Sequence, residues 1–540
     1  MSSKARKLRT GGKTPTLSPV ATLAVADPPT GASTSMNAEQ QAVVERLLGT
    51  TPQEHELMAA SGDYDADIVV IGSGPAGYVC AIRAAQLGAR TVCIEREAAE
   101  WGGTCLNWGC IPTKAMIASV ERLHHVKTAG PMGVTISGEI GFDFAAMMAR
   151  KAKIVTTLRG GVQSLLKSNH VRCIVGTAEM KDAHTVVTAL SAGGSETVRT
   201  RCTIIATGSV PVMPPVPGLE RKPSDARGVS SNGIWTSDEA VCATEPPTRF
   251  VVIGGGAVGL EFAYTFRNLG SEVNLIEMAP EILPLADAEI ASGLRKSLER
   301  QGIKFHLGSQ VSRVEHKRTG RIVHVTTPTG EVTLEADAVL VGAGRRAWHD
   351  GLGLSELGVV TDRRGIVVDE YLQTNVPGIY AIGDVVGKQL LAHLGSHMGI
   401  VAAENAMGHP VKMDYRAVPA PIYTVPEVAT VGLSEEQARA EGYDVMTGRF
   451  AFRPLGRAMA LGEQEGLVKV VSERKYGELL GVHIFGPYAT ELIHEGVMAI
   501  KLESTIDELM TNIHAHPTLS EAIGEAALDV KGEAIHKPRK

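Results

Sequence analysis

Apolar runs that stop at glycine-rich turns organise the first part of the chain. Residues 67–71 have the pattern of a buried strand, and a glycine turn follows at once. The turn contains Gly72, Gly74 and Gly77. A helix is predicted over 75–88, because Pro75 suits the first helical turn. A second strand over 90–94 then ends at an acid, so the pattern predicts a β-α-β unit.

The same unit returns later in the chain. An apolar strand over 250–253 leads into a second glycine turn, a helix and another strand that ends at an acid. This turn contains Gly254, Gly256 and Gly259. The two acids, Glu95 and Glu277, each lie 23 residues beyond the first glycine of their copy. In such units the glycines allow a tight turn, approach of a pyrophosphate and close helix packing, while the acid binds a ribose. Two dinucleotide sites are therefore predicted.

Glu277 also predicts which dinucleotide the second unit prefers. A carboxylate at the end of this strand accepts a ribose diol and repels a 2′-phosphate, whereas an NADP site needs a cation nearby. Residues 278–280 supply no positive charge. The sequence therefore favours NAD over NADP.

Three shorter apolar strands that end in glycine turns complete these sites. The strand before Thr207 and Gly208 follows the first unit, and the strand before Gly344 follows the second. A third strand, residues 379–382, ends at Asp384, whose carboxylate could accept hydrogen bonds from the ribityl chain of a flavin. These residues are predicted to line the cofactor sites.

Two cysteines, Cys105 and Cys110, follow the first unit in a stretch rich in glycine. Position at a helix N-terminus stabilises the thiolate, which is the reactive form of cysteine. Lys114 lies four residues after Cys110 and shares its helical face, where its ammonium could support a flavin ring or a thiolate. Glu261 is the candidate counter-ion. A structural disulfide is the less favoured alternative, and no metal is predicted because no second Cys/His pair has zinc-site spacing.

The other cysteines are expected to be small buried apolar residues, as free cysteine usually is. They are Cys80, Cys93, Cys173, Cys202 and Cys242.

A histidine and a glutamate near the C-terminus, His516 and Glu521, resemble a general base with the group that orients it. Pro517 is predicted at the first position of a helix whose apolar stripe runs over 519–530.

Composition narrows the function. Net charge is −6 and aromatic residues make up 4% of the chain, which argues against nucleic-acid binding. No run of eighteen apolar residues occurs, so no membrane span is predicted. Residues 1–63 are basic, then rich in Ser, Thr and Pro, which predicts disorder. A mitochondrial or plastid transit peptide is the alternative; otherwise the cytoplasm is predicted.

Together these motifs resemble the class I pyridine nucleotide–disulfide oxidoreductase family over about residues 64–530, and most closely its dihydrolipoamide-oxidising members. The resemblance implies an α/β fold with two Rossmann-like dinucleotide-binding domains, for FAD and NAD, and a C-terminal α+β dimerisation domain. The implied divisions are an extension (1–63), an FAD domain (64–215), an NAD domain (216–345), a central domain completing the FAD site (346–412) and an interface domain (413–540).

The resemblance also implies residue roles. Cys105 exchanges with the substrate sulfur, and Cys110 lies over the flavin as the charge-transfer thiolate. Lys114 and Glu261 pair beside flavin N5. His516 acts as acid–base, oriented by Glu521, and serves the disulfide of the other subunit in a homodimer. Lipoyl domains of the E2 component in 2-oxoacid dehydrogenase or glycine cleavage complexes are the implied partners.

Other functions remain open from the sequence. A glutathione reductase would favour NADP, against which Glu277 argues. A mercuric reductase would have further cysteines near the C-terminus, but no cysteine follows Cys242. A flavoprotein that mainly docks onto a multienzyme core, through residues 1–63, is a non-catalytic alternative. Met398 stands where the family commonly has an acid.

Overall fold

The computed structural model describes residues 63–222 and 225–538. The predictions made for residues 1–62 lie outside the described residues. Within the described ranges, no helix is both long and apolar enough to cross a membrane.

The first glycine turn lies at the carboxyl end of a strand in a mostly parallel sheet. Its first apolar strand is buried, with Ile68, Val69 and Val70 fully inaccessible to solvent. The elements of this region are β1 (Ala66–Ile71), α1 (Pro75–Gln86), β2 (Thr91–Glu95), α2 (Gly103–Asn107), α3 (Cys110–Lys127), α4 (Phe144–Ser168), β3 (Arg172–Asp182), β4 (Thr185–Leu190) and β5 (Ser195–Ile205).

The second glycine turn belongs to a second parallel sheet. The elements of this region are β6 (Ser209–Pro211), β7 (Ile234–Trp235), α5 (Ser237–Ala240), β8 (Arg249–Ile253), α6 (Ala257–Asn268), β9 (Glu272–Ile276), α7 (Ala288–Arg300), β10 (Lys304–His306), β11 (Gln310–His316), β12 (Arg321–Thr327), β13 (Gly330–Ala336), β14 (Ala338–Val341) and β15 (Arg345–Ala347). Strands β11, β12 and β13 form a separate antiparallel sheet, and β15 pairs with β6.

The two parallel sheets share one strand order. In the first, β2 and β5 flank β1, β3 lies beyond β2, and β16 (Ile379–Ala381) pairs with β5. In the second, β9 and β14 flank β8, and β10 lies beyond β9. In such open sheets ligands bind at the carboxyl ends of the strands, where the strand order reverses. Each glycine turn follows the central strand at that position.

The C-terminal region has a different, antiparallel architecture. After α8 (Ala392–Ala406), it contains β17 (Ala420–Ile422), β18 (Glu427–Gly432), α9 (Glu435–Ala440), β19 (Val445–Ala451), α10 (Gly456–Leu461), β20 (Leu467–Glu473), β21 (Leu479–Gly486), α11 (Ala489–Lys501), α12 (Ile506–Thr511) and α13 (Glu521–Val530). The strand order is β17-β18-β21-β20-β19. The predicted fold class, a duplicated α/β unit with a C-terminal α+β region, is confirmed; the domain boundaries remain predictions.

Two sequence predictions are wrong in detail. Helix α13 begins at Glu521 and not at Pro517, so His516 precedes the helix on a loop. Cys173 and Cys242 are exposed, whereas the remaining cysteines outside the predicted thiol pair are buried as expected. Cys173 lies on β3, whose only parallel neighbour at that position is β2, and Cys242 follows the short helix α5. Among the described residues, the strand at Cys173 therefore has one side without a paired strand, and Cys242 lies beyond the end of its helix.

Candidate active site

The two glycine turns have nearly identical backbone environments. Gly72 and Gly254 have φ of +104° and +107°, and a Cβ at either would lie 2.4 Å from a carbonyl oxygen of the neighbouring strand's end. A Cβ at Gly77 or Gly259 would lie within 1.9 Å of the carbonyl oxygen of the turn's first glycine. These four positions therefore exclude side chains because protein backbone occupies the space.

Other predicted glycines border open space instead. A Cβ at Gly208, Gly256 or Gly344 would meet no atom within 4 Å, and one at Gly74 would meet only Gly103 Cα, at 3.9 Å. Bare backbone next to open space is what a bound pyrophosphate requires. The arrangement fits a dinucleotide at each turn.

Each turn is also held by its acid. Glu95 Oε2 accepts hydrogen bonds from the Ser73 amide at 3.0 Å and the Ser73 hydroxyl at 2.6 Å. In the second copy, Glu277 Oε2 accepts from the Gly255 amide at 2.6 Å, and Oε1 accepts from the Ala279 amide at 2.8 Å. Burial raises the pKa of Glu95 despite these donors. The acids thus organise the turns as well as offering oxygen atoms for a ribose.

Asp384 lies at the same edge of the first sheet, just beyond β16. Its Oδ2 accepts from the Ser209 hydroxyl at 2.6 Å, and Arg345 Nε donates to the Ser209 oxygen at 2.8 Å. Burial raises the pKa of Asp384. Thr207 donates through its hydroxyl to the Trp348 carbonyl, 2.5 Å away, and so fixes the adjacent turn. The predicted Thr207, Gly208 and Asp384 therefore lie in one region of the sheet edge.

The redox loop, residues 102–110, packs directly onto the first glycine turn. A Cβ at Gly103 would lie 2.4 Å from Gly74 Cα, and the Gly102 amide donates to the Ser73 carbonyl at 3.2 Å. Cys105 lies in α2, and Cys110 is the first residue of α3. The thiols are therefore carried to the edge of the predicted FAD site by backbone contact.

The two thiols are free and differ in acidity. A hydrogen bond between them raises the pKa of the Cys105 thiol, which is the donor, and lowers the pKa of Cys110. The positive charge of Lys114 lowers the pKa of Cys110 further. Of the two thiols, Cys110 therefore has the lower pKa.

Lys114 and Glu261 form the predicted ion pair between α3 and α6. Lys114 Nζ lies 2.8 and 2.7 Å from the two carboxylate oxygens of Glu261. The Tyr423 amide donates to Glu261 Oε1 at 3.2 Å, and the Lys114 ammonium lies 4.5 Å from the centre of the Tyr423 ring. Glu261 is 5% exposed, so a buried carboxylate fixes the Lys114 ammonium, whose charge lowers the pKa of Cys110.

His516 and Glu521 are also paired, on the loop that leads into α13. His516 Nδ1 lies 2.9 Å from Glu521 Oε1, and the Thr518 amide donates to Oε2 at 2.8 Å. Burial opposes ionisation of Glu521, but the hydrogen bonds from His516 and Thr518 outweigh it and hold its pKa below the ordinary value. The His516 side chain is 77% exposed on its own chain. It is accessible to a second molecule.

Sequence reasoning missed several residues around these groups. Arg345 donates to Ser209, which in turn donates to the predicted Asp384. Tyr423 contacts the predicted Lys114, and Arg227 stacks on Trp108 in the loop that carries the thiols. Arg345 directly follows the predicted Gly344, and Trp108 lies between the two cysteines, so the neighbouring motifs could have pointed to both. Arg227 and Tyr423 are remote in sequence from these motifs, so no local pattern pointed to them. Among the described residues, no cluster of three or more His, Cys, Asp or Glu side chains is placed to hold a metal ion.

Comparison with known proteins identifies the class. The family profile for pyridine nucleotide-disulphide oxidoreductases matches residues 66–409, and the profile for the dimerisation domain of the same family matches residues 418–527. The chain belongs to this family, as its motifs predicted. It is an oxidoreductase of a family that uses FAD and NAD, and the glycine turns, acids and ion pair described above fit both groups.

Two relatives and one solved structure show the similarity in more detail. Dihydrolipoyl dehydrogenase from Thermus scotoductus is 44% identical over 474 residues, covering 87% of this chain and 98% of the relative. The mitochondrial dihydrolipoyl dehydrogenase of Pisum sativum is 42% identical, covering 88% of this chain and 94% of the relative. Among solved structures, LpdA from Mycobacterium tuberculosis matches with a TM-score of 0.77 at 27% identity, covering 85% of this chain and 99% of that one.

Proposed function

We propose that the protein is a dihydrolipoyl dehydrogenase that oxidises dihydrolipoamide to lipoamide and reduces NAD⁺. The observation that carries the proposal is the Cys105–Cys110 pair, with unequal thiol acidities, packed on a dinucleotide turn beside the Lys114–Glu261 ion pair. The identity to dihydrolipoyl dehydrogenases over most of the chain supports the substrate.

The proposed first half-reaction is thiol–disulfide exchange. A substrate thiolate attacks Cys105 of the oxidised pair, the Cys105–Cys110 bond breaks, and Cys110 leaves as the thiolate. The second substrate thiol then attacks the mixed disulfide, which releases lipoamide and leaves Cys105 protonated. The partner subunit's His516, held in orientation by Glu521, takes the proton of the first substrate thiol, and the proton of the second goes to Cys105. The unequal acidities of Cys105 and Cys110 match these roles of thiol and thiolate.

The second half-reaction uses the cofactors. Bound FAD supplies the chemistry that converts the electron pair of the dithiol into a hydride for NAD⁺. For this step, the chain's own Lys114 holds a positive charge near Cys110, and Glu261 fixes that ammonium. Glu95, Asp384 and the first glycine turn would hold FAD, while Glu277 and the second turn would hold NAD⁺.

The choice of NAD⁺ rests on Glu277. Its carboxylate is fixed by the Gly255 and Ala279 amides at the end of β9. In that position it accepts hydrogen bonds from the two hydroxyl groups of a ribose and repels a 2′-phosphate.

The proposed assembly is a homodimer that receives electrons from lipoyl domains of a 2-oxoacid dehydrogenase or glycine cleavage complex. The dimerisation-domain match and the exposed His516 support the dimer. Relatives occur in bacteria and in mitochondria. We propose the cytoplasm as the compartment, with an organelle as the alternative if residues 1–63 are a transit peptide.

The decisive experiment is an assay of FAD-loaded protein for NAD⁺ reduction by dihydrolipoamide, with NADPH plus glutathione disulfide in parallel. We expect turnover with the first pair only, and loss of that turnover in Cys105→Ser. Cys173→Ser, which removes an exposed thiol on β3, is the control and should leave turnover intact. Turnover with the second pair alone would replace the proposal by a glutathione reductase. No turnover with either would favour a docking role.

A further inference from the structure

Arg227 contacts the redox loop from a segment remote in sequence, the connection between β6 and β7. Its Nη1 lies 2.9 Å from Glu100 Oε1 and 3.0 Å from Glu100 Oε2, just before the loop. Its Nη2 donates to the Thr104 hydroxyl at 3.3 Å. On the opposite side, its Nε lies 2.7 Å from Asp238 Oδ2 in α5. One guanidinium therefore joins the thiol-bearing loop to the second α/β region.

The same guanidinium stacks on Trp108, between the two cysteines. Its central carbon lies 4.6 Å from the Trp108 ring centre, and the indole N–H donates to Glu100 Oε1 at 3.1 Å. The next residue, Gly228, approaches so closely that a Cβ there would lie 2.9 Å from a Trp108 ring carbon. Trp108 is thus held between the Arg227 segment and Glu100.

The redox loop needs such support because glycine is frequent in its backbone. Gly102 and Gly103 have positive φ, and Gly109 directly precedes Cys110. Glycine has the greatest conformational freedom of any residue. The loop's own anchor is Asn107, whose amide donates to the carbonyls of Glu100, Trp101 and Gly103. Just before Cys110, the Trp108 amide donates to the Thr104 carbonyl at 2.8 Å, and the Gly109 carbonyl accepts from the Thr113 hydroxyl at 2.7 Å. The Trp108 side chain is held in addition by Glu100 and Arg227.

We propose that Arg227 is a positioning residue for the thiol–disulfide couple, acting through Trp108 and Thr104 to keep Cys105 and Cys110 in exchange geometry. The inference deepens the proposed function and rests on it. A planar guanidinium suits the task because it can bind a carboxylate through two N–H groups while its face stacks on an aromatic ring. Misplacing a reacting group by about 1 Å can cost on the order of a hundredfold in rate.

The chain offers a matched control in Arg221, from the same segment. Its Nη2 pairs with Glu239 at 2.9 Å, next to Asp238 in α5, and donates to the Ala226 carbonyl. Those contacts do not involve the redox loop. Arg221→Gln therefore removes a similar ion pair to the same helix and should leave the thiols unaffected.

The test compares the wild-type holoenzyme with Arg227→Gln, Arg227→Lys and Arg221→Gln. We expect Arg227→Gln to slow reduction of the enzyme by dihydrolipoamide about tenfold, with the KM for NAD⁺ unchanged, because loop geometry and not nucleotide binding is altered. The pH midpoint of the Cys110 thiolate, followed by its ultraviolet absorbance, should move upward as the Cys105 hydrogen bond weakens. Arg227→Lys should fall in between, since an ammonium cannot stack and bridge in the same way. Arg221→Gln should match the wild type.

A second background tests the route. In Trp108→Leu, most of the further effect of Arg227→Gln should disappear, as expected for residues acting through one contact. Equal behaviour of Arg227→Gln and Arg221→Gln would overturn the inference. A full effect of Arg227→Gln in the Trp108→Leu background would also overturn it. So would an Arg227→Gln variant that has a lowered melting temperature but a normal reduction rate and thiolate midpoint. If Arg227→Gln does not retain FAD, Arg227→Lys decides by the same criteria. Failure of the proposed function differs, because the wild type itself would then not reduce NAD⁺.

Discussion

At the scale of single residues, environment makes two identical side chains chemically different. Cys105 and Cys110 have the same thiol, but Cys110 lies at the start of α3, accepts the Cys105 hydrogen bond and faces the Lys114 charge. Burial acts on both thiols and favours the neutral form. The donor and the cation reverse that preference for Cys110 alone. The difference in pKa between the two thiols is thus a property of their positions.

The first prediction concerns that hydrogen bond. Cys105→Ala removes the donor to Cys110, and the pKa of Cys110 should rise because the Cys105 hydrogen bond is the largest influence that lowers it. In the reduced protein, thiolate absorbance should therefore appear at higher pH than in the wild type. Cys173→Ala, which removes an exposed thiol on β3, should leave the midpoint unchanged. An unshifted midpoint in Cys105→Ala would show that Lys114 and the helix N-terminus suffice.

At the scale of elements, the repeated unit uses glycine for two different purposes. In both copies, the first and third glycines exclude a side chain because backbone oxygen atoms lie in its place. The second glycine of the NAD copy, Gly256, faces open space and has an ordinary φ of −80°. The same residue type therefore serves packing at one position and ligand approach at another.

Substitution separates the two purposes. Gly259→Ala places a methyl group 1.9 Å from the Gly254 carbonyl oxygen, so overpacking should lower the free energy of unfolding by about 1–3 kcal/mol. Gly256→Ala should leave thermal stability unchanged and weaken NAD⁺ binding, because the methyl group occupies the pyrophosphate's place. Thermal unfolding without NAD⁺ and calorimetric titration with it measure the two effects. Equal losses of stability in both variants would contradict the assignment.

The C-terminal elements carry a pH-dependent contact near the predicted acid–base pair. His514 Nε2 lies 2.9 Å from Glu495 Oε1 on α11, and that hydrogen bond raises the pKa of His514 above its ordinary value of about 6.5. A raised histidine pKa stabilises the fold below the unfolded-state pKa, and this contribution is lost as pH rises through the folded-state pKa.

The expected result is a stability difference between wild type and His514→Gln that is largest near pH 6 and shrinks toward pH 8. Unfolding at fixed protein concentration measures it. His536→Gln is the control, because the His536 side chain is 69% exposed and its pair with Glu525 should contribute little. A difference that grows with pH would show that the pair does not act as a charged contact.

At the scale of the whole molecule, the proposed catalytic groups are divided between two surfaces. The thiols lie on the redox loop against the first glycine turn, while the exposed His516 and its partner Glu521 belong to the C-terminal region that matches the family's dimerisation domain. A closed two-fold dimer presents equivalent surfaces from both copies. The proposed active site therefore combines residues of two chains.

Subunit complementation tests this arrangement. Cys105→Ser and His516→Gln should each be inactive alone, since each removes a group needed at both sites. Co-expression should restore about a quarter of wild-type activity, because half of randomly formed dimers are mixed and each mixed dimer has one intact site. Co-expression of Cys105→Ser with Cys110→Ser should restore none. Each chain of the mixed dimer then carries a damaged thiol pair, so neither site is intact. Activity in that control would contradict the shared site.

Much of the fold and site followed from local patterns. Strand β1, helix α1 and strand β2 were predicted to within a few residues, because continuous apolar runs, glycine turns and a proline at a helix start act over short distances. Lys114 shares a face with Cys110 because helix geometry alone relates residues four apart. The pairing of Lys114 with Glu261 was proposed through the family resemblance, and the packing of α3 against α6 brings the two together.

Other features depend on contacts between distant segments, which spacing does not encode. The start of α13 at Glu521 was missed because a proline is acceptable in a first helical turn but does not require one. The exposure of Cys173 and Cys242 depends on which strand edges and helix ends remain uncovered.

The sequence by itself determined the duplicated nucleotide unit, the thiol pair and the class of chemistry, because each depends on residue types at short, regular spacing. Only the tertiary structure decided which contacts lower the pKa of Cys110, how Asp384 is held by Ser209 and Arg345, and that Arg227 stacks on Trp108. Those properties arise from burial, charge and hydrogen bonds between residues far apart in the chain, and they exist only when the chain has folded.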